Sequence, residues 1–306
     1  MRTSAFMARE DITQLPASLS GLRERLSILA ATPGLKTGAE SVAPGALLPF
    51  AIPRLDALLQ GGLKRAALHE VRSAESRDAA AMTGFAVALL SRLSAKSRRP
   101  LLWIVEQTAA AESGFLYGGG LRNFGIDPTR LIVVRVTRAI DALWVFEEGL
   151  RSAGLAAVVA EIHGNPRQID LTASRRLALR AAEHRVTGLL LRQSAQPLPS
   201  AASTRWLVAP LPAAADAIDP EGIGAPIWRL TLERNRQGAT GAIDVEWDHD
   251  RHCFIAAEAA HSRPLVPLSR HRPPAPADAG KIVALACLPR EDLPRERRRL
   301  RLQARG

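Results

Sequence analysis

The residues with chemical potential in this chain centre on a loop that has lost its chemistry. Between the apolar stretch Ala66–Val71 and an alanine-rich helical stretch lies Ser73-Ala74-Glu75-Ser76-Arg77-Asp78-Ala79-Ala80. A phosphate-holding loop at such a place reads Gly-x-x-x-x-Gly-Lys-Ser/Thr. Its backbone N–H groups and lysine hold the phosphates and its hydroxyl holds Mg²⁺. Here both glycines, the lysine and the hydroxyl are missing. Glu75 and Asp78 add negative charge where a polyphosphate would lie, and like charge opposes binding. Arg72 and Arg77 could offset part of this, but a guanidinium is too long and rigid to replace the lysine simply. No cofactor and no metal are therefore expected.

Other candidates are weaker. Gly118-Gly119-Gly120 lacks a strand closely before it and reads as a turn, and His163-Gly164-Asn165-Pro166 reads as a loop. His249 and His252, near Cys253, are separated by Asp250 and Arg251 and read as a surface turn rather than a metal site. With Tyr117 the only tyrosine, an aromatic platform for single strands is poorly supplied.

Composition sets the limits. The chain has 306 residues, 47% hydrophobic, enough for one large domain with extensions. No apolar run reaches the ~18 residues of a membrane helix, and Met1–Phe6 lacks the apolar core of a secretory signal. Cys253 and Cys287 lie far apart and in no metal-ligand spacing, which suits a reducing, cytoplasmic protein. Cys253 is expected as a small buried hydrophobe. The net charge is +11, and the segment from His261 to Gly306 carries eleven Arg/Lys against four Asp/Glu, hence +7 of it. Arg295, Arg297, Arg298, Arg299 and Arg301 form its densest run, a candidate DNA-binding tail. Within that tail, Ile282–Leu288 is a short apolar island. At the other end, Leu15, Leu19, Leu22, Leu26 and Leu29 repeat at spacings of four and three, a helical stripe that needs a partner surface. A Gly/Pro link then leads to the core.

The elements that must position these residues alternate. A short helix and the Gly61-Gly62 turn precede a strand at Ala66–Val71, followed by a helix at Ala79–Leu93. Strands follow at Leu101–Val105, Leu131–Val134, Leu155–Ala160 and Val186–Leu191. They are separated by a helix that Asp141 can cap and another from Thr172 to His184. Trp206–Ala209 supplies one more strand. Continuous apolar strands between helices predict an α/β fold, a mainly parallel sheet covered on both faces. From Ile227 the alternation of side chains predicts a small antiparallel extension. The expected organisation is a leader helix and linker at 1–46, the core at 47–258 and a basic, largely disordered tail at 259–306.

This layout resembles the RecA-like ATPase core, and the resemblance assigns three further positions. Glu106, closing Leu101–Val105, matches the carboxylate that polarises the attacking water. Glu161, one place beyond an alanine where aspartate is usual, matches the acidic group that holds the Mg²⁺-bound water. Gln193, after Leu189–Arg192, matches the residue that senses the γ-phosphate. Ser73, Glu75, Ser76, Arg77, Asp78, Glu106, Glu161 and Gln193 thus read as remnants of a nucleotide site without a catalytic residue. As strand-end carboxylates, Glu106 and Glu161 also suit caps or ion-pair partners.

An ordered set of segments sharpens the match. Leu48–Val71, Leu101–Glu106, Phe124–Pro128 with Arg130-Leu131, Val158–Gly164, and Ile227–Val245 with Leu232-Glu233-Arg234-Asn235-Arg236 together resemble the ImuA family. That is a RecA-like bacterial family encoded with ImuB and an error-prone replicative-type polymerase. The resemblance implies a non-catalytic, damage-inducible accessory of translesion DNA synthesis that binds ImuB. ImuB itself resembles a Y-family polymerase without catalytic residues and bridges to the sliding clamp. The polymerase, RecA, DNA and a second copy of the chain are further candidate partners, with nucleoid association when so bound. The competing readings are an ATPase that remodels recombinase filaments and a cell-division inhibitor.

Overall fold

A computed structural model describes residues 47–213 and 224–257. The chain divides into two units, Met1–Ala260 and His261–Gly306, and every described residue belongs to the first. The leucine stripe from Leu15 to Leu29, the arginine run from Arg295 to Arg301, the island Ile282–Leu288 and Cys287 lie outside the described residues.

The described chain opens with a two-stranded ribbon, β1 (Leu47–Leu48) against β2 (Leu63–Lys64), with α1 (Pro53–Leu58) between them. Asp56 holds the approach to α1, accepting from the Phe50 and Ala51 backbone N–H groups at 2.7 and 2.9 Å. The Gly61-Gly62 turn could hold no other residue pair. Both have φ above +100°, and a Cβ on Gly62 would stand 2.4 Å from the Leu48 carbonyl oxygen. The strand expected over Ala66–Val71 is offset, because Ala66 takes φ 54° and breaks it. The strand β3 is Leu68–Arg72.

After β3 come α2 (Ala79–Ser94), β4 (Leu101–Glu106), α3 (Gln107–Ser113), α4 (Gly118–Asn123), β5 (Leu131–Val136) and α5 (Ala139–Arg151). Then follow β6 (Ala157–His163), α6 (Leu171–Glu183), β7 (Thr187–Gln193), β8 (Thr204–Leu211), β9 (Ile227–Asn235), β10 (Gly241–Asp248) and β11 (Cys253–Ala256). The main sheet runs β11-β10-β9-β8-β3-β7-β6-β4-β5. From β5 through β8 the pairings are parallel; β8 to β9, β9 to β10 and β10 to β11 are antiparallel. The RecA-like class is as expected, a mainly parallel sheet flanked by helices with an antiparallel extension that starts at Ile227.

Each central strand feeds two cores, because alternate side chains leave opposite faces. On β4, Leu101, Trp103 and Val105 enter the core under α2, while Leu102 and Ile104 enter the core under α5 and α6. The first core extends over β8–β11 through a cluster of rings. Phe85 packs on Trp206, Trp228 and Phe254, and Phe254 on Trp247, with centroids 5.0–6.2 Å apart.

Local details differ from the sequence reading. Asp141 is not the cap of α5: Arg138 holds the cap position, and Asp141 in the first turn accepts two bonds of 2.9 Å from it. The cap of α6 is Asp170, which accepts from Ala173 N–H at 2.7 Å. Gly118-Gly119-Gly120 opens the short helix α4 instead of forming a turn. Cys253 is half-buried at the start of β11. Among the described residues, no group of three or more His, Cys, Asp or Glu could hold a metal ion. No helix among them is long and apolar enough to cross a membrane.

Candidate functional site

The loop after β3 makes one 3-10 turn, Ser76–Asp78, and enters α2 at Ala79. The polar groups of Ser73 and Ser76 and the Asp78 N–H bond to the protein itself. The Ser73 N–H donates to the Arg192 carbonyl at 3.1 Å, and the Ser73 carbonyl accepts from Ala195 N–H at 3.2 Å. The Ser73 hydroxyl accepts from Ser194 N–H at 3.2 Å, and the Ser76 hydroxyl lies 2.9 Å from that of Ser194. Asp78 N–H turns back to the Glu75 carbonyl at 3.1 Å. No residue from Ser73 to Asp78 takes a positive φ, so the backbone lacks the glycine conformations that would aim successive N–H groups at a phosphate.

Neither arginine compensates for the missing lysine. Arg72 is buried and forms a two-point ion pair with Glu233 of β9, with Nε to Oε2 at 2.9 Å, while its Nη1 donates to the Ala195 carbonyl at 2.8 Å. Arg77 lies in solvent and reaches back to Glu75 at 3.1 Å. Asp78 caps nothing with its side chain.

Glu106 and Gln193 end β4 and β7, Glu161 lies two residues before the end of β6 between them, and all three are buried. Glu106 is a cap. Its carboxylate accepts from Ala109 N–H, the first turn of α3, and from His163 N–H at the end of β6, both at 3.3 Å. Glu161 is the hub of a closed network. It accepts from the Gln193 amide at 2.7 Å, from the Trp103 indole N–H at 3.2 Å and from the Thr83 hydroxyl at 3.2 Å. The Gln193 amide also donates to the Ser113 hydroxyl at 2.8 Å, and its Oε1 is buried without a partner. Burial pushes the Glu161 carboxyl above the usual carboxylate range, while its hydrogen-bond donors oppose that rise. The strand ends that resemble catalytic positions are thus locked to α2, α3 and the Trp103 ring.

A second polar cluster sits on the opposite face of β3. Arg205 pairs with Glu70 at 2.7 Å and donates to the Leu198 carbonyl. Arg192 donates to the Gly164 carbonyl at 2.9 Å and to the Asn165 side chain. Burial, with Arg205 and Arg72 nearby, lowers the Arg192 pKa, and Glu70 opposes that. Sequence reasoning missed Thr83, Trp103, Glu70 and Arg205. The available signal was an indole and a carboxylate inside otherwise apolar strands, where each must find a partner.

Fold and site together define an α/β core, a mainly parallel sheet with buried carboxylates on β4 and β6 and a glycine-free loop after β3. No family model matches the chain. Two curated proteins do, both called Protein ImuA, from two strains of Caulobacter vibrioides. Each is 33% identical over 211 residues, which is 65% of this chain and 82% of the relative. The chain belongs to the ImuA family. Among solved structures, a crystal structure of the RadB recombinase is similar with a TM-score of 0.47 and 15% identity, over 69% of this chain and 100% of that one.

Proposed function

We propose that this chain is a non-catalytic accessory of SOS-inducible, error-prone translesion DNA synthesis, an adaptor that binds ImuB. Membership of the ImuA family supports the role in the translesion system. The observation that carries the non-catalytic part is the fate of Glu161. Its oxygens serve Gln193, Trp103 and Thr83, beside a loop whose Ser73 and Asp78 N–H groups bond to protein carbonyls and whose backbone takes no positive φ. Phosphoryl transfer depends on positioned N–H donors, a lysine and Mg²⁺, and Ser73–Ala80 has neither the lysine nor the glycines and hydroxyl of the phosphate-holding motif.

The test is steady-state ATP turnover by purified full-length protein, with and without single-stranded DNA. Background rates are expected. Hydrolysis that disappears on Glu106→Gln would promote the ATPase reading instead. Pull-down against ImuB, the clamp and the recombinase then tests the adaptor part, and capture of ImuB is the expected result. The leader is tested by Leu19→Asp with Leu26→Asp: loss of ImuB or self-association at unchanged melting temperature assigns the stripe to a partner. The tail is tested by salt. If Arg295–Arg301 neutralise ~4–5 phosphates, duplex affinity should fall with a log–log slope near about −4 and without sequence preference. Truncation after Pro289 should flatten that slope.

A further inference from the structure

Two aromatic rings stand out from the surface in the loop joining α3 to α4. Phe115 is 57% exposed and Tyr117 is 79% exposed, in a domain whose other rings are mostly buried. Phe115 is covered on one side, and Tyr117 rests on the backbone that follows it. The Arg135 guanidinium, from the end of β5, lies over Phe115 at 3.9 Å from the ring centroid. Tyr117 lies against the start of α4, where a Cβ on Gly119 would come within 2.5 Å of its Cε1 and 2.8 Å of its Cζ. Without a side chain at position 119, the tyrosine ring can lie down on the helix start.

A ring held on one side keeps its other face for a ligand and loses little entropy when it is used. The ligand that matches exposed ring faces beside a cation is flat, π-faced and anionic. A nucleobase on a phosphate chain has these properties, and stacking is tolerant of base identity. Arg122 and Arg135 are exposed, whereas nearby Asp127 is occupied by Thr129 through two bonds of 2.7 and 2.9 Å. A single tyrosine looks too little by composition, but Phe115 adds a second exposed ring two residues away.

We propose that Phe115 and Tyr117 form a stacking platform for unpaired bases of single-stranded DNA, with Gly119 as a positioning residue. This site is separate from the tail and uses neither ATP nor ImuB, so its failure leaves the adaptor reading standing.

The experiment compares binding of full-length protein to oligo(dT) and to an abasic strand of equal length, by fluorescence anisotropy. The two strands share phosphates and differ only in bases. The wild type should prefer oligo(dT) by about tenfold. Phe115→Ala with Tyr117→Ala should abolish the preference without changing the salt slope, because no phosphate contact is removed. Tyr117→Trp should retain it. Gly119→Ala should weaken it at unchanged melting temperature. Equal wild-type binding to both strands, no binding to either, or a preference that survives the double variant would overturn the proposal. Equal binding together with loss of ImuB capture in the double variant would make the rings a protein-docking surface instead.

Discussion

The loop Ser73–Asp78 and the strand ends beside it are built in opposite ways. The loop is exposed over Ala74, Glu75 and Arg77 and bonds mostly to its own backbone and to the end of β7. The strand ends have turned inward: Glu106 caps α3, and Glu161 takes three donors from three other elements. Carboxylates at such strand ends can be held by structural partners alone, as Glu106 and Glu161 are. Once Glu161 is enclosed with Trp103 and Thr83, removing it strands buried donors, so its retention needs no catalysis.

The sharpest way to break this comparison is Glu161→Ala. It orphans a hydroxyl, an indole N–H and an amide at once and should cost about 3–5 kcal/mol in chemical unfolding. A loss below about 1 kcal/mol would mean the network is ornamental.

Acid and base should then tell two buried groups apart. Burial lowers His69 to about 4, although its ring nitrogens bond Thr204 and the Lys64 carbonyl at 2.7 Å. Its folded pKa lies below the unfolded value of ~6.5. The neutral ring's contribution is therefore intact above that value and is lost as pH falls toward 4, by roughly 3 kcal/mol at most. Glu161 has the opposite sign. Its folded pKa is raised, so its contribution is full at low pH and is lost as pH rises through the folded value. Urea unfolding across pH should show the acid loss vanish in His69→Gln and the loss on the alkaline side of the carboxylate range vanish in Glu161→Gln.

Repairing the loop is expected to fail and to destabilise. Asp78→Gly with Ala79→Lys places a charged side chain at a position 1% exposed. It should cost about 1–3 kcal/mol and yield no ATP turnover, since Glu161 remains engaged. The smallest effect is expected at Glu75→Ala and Arg77→Ala, which lie in solvent at 57% and 78% side-chain exposure. Each should stay within about 0.5 kcal/mol of the parent. A larger loss would mean that the loop retains a structural role its contacts do not reveal.

Much of the fold was legible because buried parallel strands are written as continuous apolar runs, as in Leu101–Val105 and Leu189–Leu191. The antiparallel start at Ile227 was equally plain from alternation. The loss of the phosphate loop needed only residue types. What stayed illegible were pairings distant in sequence. Nothing local to Arg72 announces Glu233, 161 residues away, and nothing near Glu161 announces Thr83. The start of α6 was placed one residue late, at Thr172 instead of Leu171, because Asp170 and Thr172 both suit a helix start. The leucine stripe and the arginine run depend on residues outside the described part, so their roles rest on sequence alone.

The strand order also has a consequence for how the chain comes off the ribosome. β3 lies between β7 and β8, partners more than a hundred residues downstream. At ordinary synthesis rates of ~5–20 residues per second, on the order of ten seconds separates the emergence of Arg72 from that of Leu211. During that interval Glu70 and Arg72 have neither Arg205 nor Glu233 to pair with. The centre of the finished sheet is therefore among the last places to close. Non-local closure of this kind slows folding, because the entropy of closing the intervening chain is lost before the pairings form.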